Sequence, residues 1–175
     1  MLANAGEWNL VCYTCSMRSL GIRAATVLDV EDMATLHATC WDETYRGKLP
    51  DSLIDSKRDR MLEIYPKALA EPDGASYWVA LWERKMVGLA SARSLGPGHA
   101  RLLEVGALYI LDEYKRRGVG TALLNYAIGS APCQLWVLDG NDEAIEFYRQ
   151  QGFEMTGETQ SPAIFEGATE SLMVR

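Results

Sequence analysis

Apolar residues recur along the chain with two periods, and the switches between them mark out the elements. Val30, Met33, His37, Cys40 and Trp41 fall at i, i+3, i+4 spacing, which predicts a helix over 30–46. Asp29 is its N-cap candidate and Gly47 ends it. Pro50-Asp51 opens a second predicted helix over 51–70, with Leu53, Met61, Leu62, Ile64 and Leu69 on its apolar side. A short strand over 21–25 precedes the first helix. After the turn Glu71-Pro72-Asp73-Gly74, two strand-like runs, 76–82 and 86–95, meet at Glu83-Arg84-Lys85 as a hairpin. Gly96-Pro97-Gly98 then turns the chain into a third long strand over 101–111.

Past that strand, a helical run carries Leu123, Leu124, Tyr126, Ala127 and Ile128, and Gln134–Leu138 is a short apolar strand suited to a buried sheet position. Asp139-Gly140-Asn141-Asp142 turns into a helix over 143–151 closed by Gly152, and strands over 153–157 and 171–174 finish the chain. Strands interleaved with three or four helices predict a mixed α/β architecture around one sheet. No repeat or linker interrupts it, so 17–175 is expected to form one domain.

Composition adds exclusions. The 175 residues are 48% apolar and 23% charged, an ordinary globular content that rules out wholesale disorder. No apolar run approaches the roughly 18–20 residues that cross a bilayer. Seventeen Lys and Arg against 24 Asp and Glu leave −7, which argues against a phosphate-tracking nucleic-acid binder and mildly favours cationic partners. Four cysteines are too sparse for a disulfide framework. Cys12 and Cys15 form a lone C-x-x-C, and His37 and His99 lie too far apart to complete a zinc site, so no metal is expected. The first 16 residues carry no Lys or Arg, so the basic start of a secretion signal is missing and the cytoplasm is the default compartment. Met17 stands as an alternative start, which would make 1–16 an extension outside the fold.

Candidate chemistry begins at Lys115-Arg116-Arg117-Gly118-Val119-Gly120. A loop that leaves a strand and enters a helix points several free N–H groups at one spot, where the helix dipole adds partial positive charge. That arrangement binds a phosphate or pyrophosphate. Gly118 and Gly120 leave room for close approach and permit unusual dihedrals, and three cations stand beside them. Neither the P-loop pattern nor the complete dinucleotide fingerprint is present.

The run from Leu108-Tyr109-Ile110 through Gly118-Val119-Gly120-Thr121 resembles the acetyl-CoA loop of the Gcn5-related N-acetyltransferases, Gln/Arg-x-x-Gly-x-Gly/Ala, with Lys115 at the Gln/Arg place. A second motif follows at the family's distance: Leu135-Trp136-Val137-Leu138, Asn141, Ala144, Phe147-Tyr148 and Gly152-Phe153. The resemblance implies a mostly antiparallel, twisted sheet of six or seven strands with a parallel pair at the cofactor cleft, flanked by about four helices. It implies acetyl-CoA as cofactor, with its pyrophosphate on amides of Arg116, Arg117, Gly118, Val119, Gly120 and Thr121. Its pantetheine arm would lie beside Leu108, Tyr109 and Ile110, and an N–H near Leu108 or Tyr109 would polarise the thioester carbonyl.

By the same resemblance, Tyr148 occupies the general-acid position near the departing sulfur, and Asn141 contacts the cofactor arm. Packing on the sheet is the alternative for Tyr148, and N-terminal capping is the alternative for Asn141. Glu104 lies where some members carry a catalytic glutamate. Strand alternation places it on one face with Gly106 and Leu108, and the alternative is an ordinary strand carboxylate. Trp41, Tyr45 and Arg46 end the first long helix, where the family assembles its acceptor pocket; Trp41 could instead be core, and His37 reads as a core histidine. The expected activity is direct acetyl transfer to a primary amine of a small molecule or peptide, with no nucleic acid or membrane partner. Homodimers are common in the family and are carried as an expectation. The rivals are a non-catalytic acyl-CoA sensor and a transferase of longer acyl chains.

Overall fold

In a computed structural model, which describes residues 20–175, the apolar runs become seven strands of one sheet and five helices. The expected extension over 1–16 and the Cys12/Cys15 pair lie outside the described residues. The strands are β1 (Leu20–Ala24), β2 (Ala75–Trp82), β3 (Lys85–Ser94), β4 (Leu103–Ile110), β5 (Gln134–Leu138), β6 (Glu154–Gln160) and β7 (Glu170–Val174). Their order across the sheet is β1-β2-β3-β4-β5-β7-β6, antiparallel except for the central pair β4 and β5. The helices are α1 (Val30–Tyr45), α2 (Asp51–Asp55), α3 (Lys57–Ala70), α4 (Val119–Ile128) and α5 (Asp142–Gln150). Among the described residues, no helix is long and apolar enough to cross a membrane.

Two local expectations change. The predicted helix over 51–70 is broken at Ser56, whose hydroxyl donates back to Leu53 O at 3.3 Å and so competes with the helical ladder. Asp29 does precede α1, but its carboxylate does not cap that helix. It accepts two bonds from Arg23, at 2.6 and 2.7 Å, and two from Thr26, at 2.8 and 2.9 Å, fastening the end of β1 to the helix entry.

Strand alternation sorts the core onto two faces. Val79 and Leu89 pack with Met33, Leu36 and Met61 under α1 and α3, while Ala80 and Ala90 pack with Val119 and Leu123 under α4. In β4 the alternation is interrupted. Ala92 pairs with Val105 and Ser91 with Ala107, so Gly106 is an extra residue, a bulge. Leu103 and Val105 before it, and Leu108 and Ile110 after it, all serve the α4 and α5 side. Glu104 therefore shares its side with Ala107 and Tyr109, not with Leu108 as strict alternation predicts.

The parallel pair is short: β4 and β5 are joined at Glu104 and Gln134 alone. Both side chains are buried and tie three strands together. Arg93 of β3 donates to Glu104 Oε1 at 2.6 and 2.9 Å, and Gln134 Nε2 donates to Glu104 Oε2 at 3.0 Å. Gln134 Oε1 in turn accepts from Arg101 N at 2.9 Å. Beyond this apex the two strands separate.

Two stability measurements check this description. Phe153, 1% exposed, packs edge-on against Tyr148 with ring centres 5.6 Å apart. Phe153→Ala is expected to cost about 3–5 kcal/mol in urea unfolding. The hydrogen bonds from Arg23 hold the Asp29 carboxyl down at about 2, against the opposing effect of burial and with further help from Thr26. A depressed carboxyl stabilises the fold above its ordinary pKa of 3.8 and stops doing so as pH falls toward 2. Asp29→Asn should therefore lower stability at neutral pH and flatten its decline between about pH 4 and 2, read from melting temperatures.

Candidate active site

The loop after β4 is built to leave donors unused. Arg116 has φ 58° and Gly118 φ 80°, left-handed values that turn successive amides to one side. The first bond of α4 runs from Ala122 N to Gly118 O at 3.0 Å, so the amides of Val119, Gly120 and Thr121 precede the ladder. No side chain caps this helix, whereas α5 is capped by Asn141 Oδ1, which accepts from Ala144 N at 3.3 Å. A helix start with left-handed residues before it and no capping side chain fits a pyrophosphate. Gly120 serves a different purpose from Gly118: a Cβ there would meet Phe147 ring atoms at 3.3 Å and Ile110 at 3.4 Å. It lines the cleft and also permits the close packing of α5 on α4.

The three cations are also unequal. Lys115 is held by Asp112 at 2.6 Å and Glu143 at 3.0 Å. The Arg117 guanidinium lies over the Tyr114 and Trp82 rings, 5.4 and 5.7 Å from their centres, and its side chain does not line the cleft. Val119 is a core side chain that offers the loop only its amide. Arg116 alone reaches into solvent at the cleft mouth, with Glu143 3.7 Å away.

Where β4 and β5 part, a cleft of about 1000 Å³ opens between them. Leu111 N donates to Val87 O at 3.0 Å, and counting back along the antiparallel ladder turns the main chain of Tyr109 and Ala107 toward β3. The main-chain groups of Leu108 and Ile110 consequently face the cleft, an open edge onto which an extended arm can add. Of the two amides considered for the thioester carbonyl, Leu108 has the right direction.

Tyr148 lines the cleft, packed between Phe147 and Phe153. Burial, helped by the neighbouring Tyr45, pushes its hydroxyl well above the ordinary phenol value, so it is a neutral O–H donor. Asn141 caps α5, the alternative considered for it, and its side chain also bonds to Tyr45; both residues line the cleft. Burial, opposed by that bond, raises the Tyr45 hydroxyl to about 12.

The remaining sequence candidates separate. Trp41 lines the cleft but is 6% exposed, its Nε1–H is spent on Tyr109 OH at 2.9 Å, and Lys57 Nζ lies 3.0 Å above its ring centre. One face of the indole is thus already occupied by a cation of the chain itself. Arg46 faces away from the cleft toward Asp42, Asp51 and Asp55, with bonds of 2.7, 3.1 and 2.8 Å, and staples the end of α1 to α2. His37 is the core histidine expected: burial, then Lys57, lowers it to about 3, and its Nδ1 is 2.7 Å from Tyr65 OH.

Glu104 lines not the main cleft but an adjoining hollow of about 380 Å³. The two cavities meet at Val105, Gly106, Trp136 and Glu170. Glu170 was missed by sequence reasoning, since a lone acid opening the last strand carries no motif. It is paired with Leu138 across the sheet and held by Gln160 Nε2 at 3.0 Å. Burial, opposed by that bond and reinforced by Glu104 and Asp139, raises its carboxyl above the ordinary range.

Comparison with known proteins agrees with this geometry. The family described as acetyltransferase (GNAT) matches residues 30–153. A probable N-acetyltransferase of Mycobacterium tuberculosis is 31% identical over 149 residues, 81% of this chain and 83% of its own. A spermidine N(1)-acetyltransferase of Thermoplasma acidophilum is 24% identical over 165 residues, 87% of this chain and 99% of its own. Among solved structures, the PaiA N-acetyltransferase of Thermoplasma acidophilum in complex with coenzyme A shares the fold, with a TM-score of 0.74 at 20% identity over 90% of this chain and 98% of that one. With its uncapped helix start, its open β4 edge and this family match, the chain belongs to the acetyltransferase (GNAT) family, enzymes whose acetyl donor is acetyl-CoA.

Proposed function

We propose that the acetyl group goes to a primary amine of a small cationic molecule that enters through the hollow beside the apex. The observation that carries this reading is the hollow's lining. Two carboxylates, Glu104 and Glu170, and two rings, Tyr77 and Trp136, surround it, and its cation Arg93 is already bound to Glu104. Such a surface attracts ammonium groups and shields their methylenes. The spermidine N(1)-acetyltransferase among the relatives is consistent with an acceptor of this kind.

Acetyl-CoA supplies an acetyl group activated as a thioester. The amides of 116–121 hold the pyrophosphate, and the Leu108 N–H polarises the carbonyl oxygen, a contribution typically worth about 3 kcal/mol. The amine arrives as ammonium and gives a proton to Glu170, whose raised carboxyl sits where the hollow joins the cleft. A C–N bond then forms as the C–S bond breaks, the Tyr148 hydroxyl donates a hydrogen bond to the departing sulfur, and the second nitrogen proton passes to that thiolate, leaving the amide and the CoA thiol. Full proton donation is uphill, because a phenol at about 10 is already a weaker acid than a thiol at about 8.5 and burial widens the gap. Glu104, with both oxygens engaged by Arg93 and Gln134, holds the apex; Arg93 offsets its charge, so Glu170 supplies the hollow's negative charge.

Tyr148→Phe is expected to lower kcat about 10²-fold while CoA binding, followed by calorimetry, stays within about twofold. An amine panel with free-thiol release as readout tests the acceptor. Diamines and polyamines should outcompete peptide N-termini, and Glu170→Gln should raise the diamine KM about tenfold. Because the Glu170 carboxyl is raised, kcat/KM for the wild type should fall on acidification from a pH above the ordinary carboxylate range. Preference for peptides, or an acid limb unchanged in Glu170→Gln, contradicts the reading.

A further inference from the structure

Three phenols converge on the cleft: Tyr45 at the end of α1, Tyr109 on β4 and Tyr148 on α5 all line it, and the other two act electrostatically on Tyr109. A phenol carries one O–H donor and can also accept, whereas an indole N–H only donates. At the 2.9 Å contact between Trp41 Nε1 and Tyr109 OH, the phenol oxygen must therefore be the acceptor. Its own hydrogen is left for another partner, and among the described residues no further hydrogen bond involves that hydroxyl.

The indole that enforces this arrangement is itself immobilised. Trp41 is 6% exposed, wedged among Leu49, Ile54 and Leu138. The buried Lys57 ammonium lies over its ring, 3.0 Å from the centre. The Tyr109 ring is fixed from the other side by His37, 4.4 Å away between ring centres. Tyr45 is arranged in the same sense. The Asn141 carbonyl is occupied by Ala144 N–H, which leaves its amide N–H₂ to face the Tyr45 oxygen.

We propose that Tyr109 is a second O–H donor to the departing sulfur, with its hydrogen aimed into the cleft because Trp41 fills its oxygen. Trp41 is then a positioning residue, and the charge that develops on sulfur is met by two phenols. The inference rests on the acetyl-transfer reading above. No bond to Tyr109 forms or breaks; it supplies only a hydrogen bond that strengthens as the sulfur becomes thiolate.

The test uses free CoA, whose thiol can be titrated on the protein. The thiolate ultraviolet band is followed against pH as a difference from the complex with desulfo-CoA, which shares every protein titration, Lys57 included. The bound thiol should ionise below free CoA. Tyr109→Phe and Trp41→Phe should each raise it by about half a unit or more, a loss of about threefold in thiolate stability. Desulfo-CoA affinity should not change. Tyr109→Phe keeps the ring against His37, so it decides the matter even where Trp41→Phe does not fold. A variant that only melts earlier, with the bound thiol unmoved, overturns the proposal. A wild-type chain that binds no CoA overturns the acetyl-transfer reading as well.

Discussion

Two neighbouring parallel strands that share a single point of pairing govern the rest of this molecule. Gln134 meets Glu104 at the apex, and from there β4 and β5 diverge. A sheet normally satisfies its main-chain groups on both sides of a central strand. Here Leu108 and Ile110 are left with open amides and carbonyls in the middle of the sheet, a state a folded protein keeps only where something else supplies the pairing. The buried Glu104 and Gln134, with Arg93 bonded to Glu104 from the exposed side, tie β3, β4 and β5 together at that apex.

The loop that follows depends on the same geometry. The bulge at Gly106 reverses which side of β4 faces α4, so Leu108 and Ile110 pack toward that helix while Tyr109 turns to α1 and α3. The strand therefore delivers the chain to α4 with its first amides pointing at the mouth of the cleft, and it brings Tyr109 under Trp41. One inserted residue thus sets both the cofactor side and the aromatic wall. Glu104 is carried to the apex, and Glu170, from the far strand, reaches the junction of cleft and hollow.

The elements were legible because period and punctuation agree: α1, β2, β3, β5 and α5 lie within a residue or two of where spacing puts them. The loop at 115–120 was legible because glycine and a strand-to-helix junction have direct conformational meaning. Three things were not. The break at Ser56 depends on one hydroxyl choosing a carbonyl. The face of Glu104 depends on a bulge, which alternation cannot foresee. The site chemistry of Lys115, Arg117, Trp41 and Arg46 depends on which partners, near or distant in sequence, the fold turns toward them, and these turn cations and rings into structural contacts. Glu170 was invisible for the complementary reason, since burial at a cavity junction has no local signature.

The central claim is that main-chain nitrogens of 116–121 grip the cofactor while the open edge of β4 takes its arm. Backbone amide NMR during a titration with CoA tests it most directly. The account predicts saturable shifts concentrated at Arg116–Thr121 and at Leu108 and Ile110, together with slowed hydrogen exchange at those amides. A titration that leaves them unmoved, or that places the shifts on the far edge of the sheet, contradicts it.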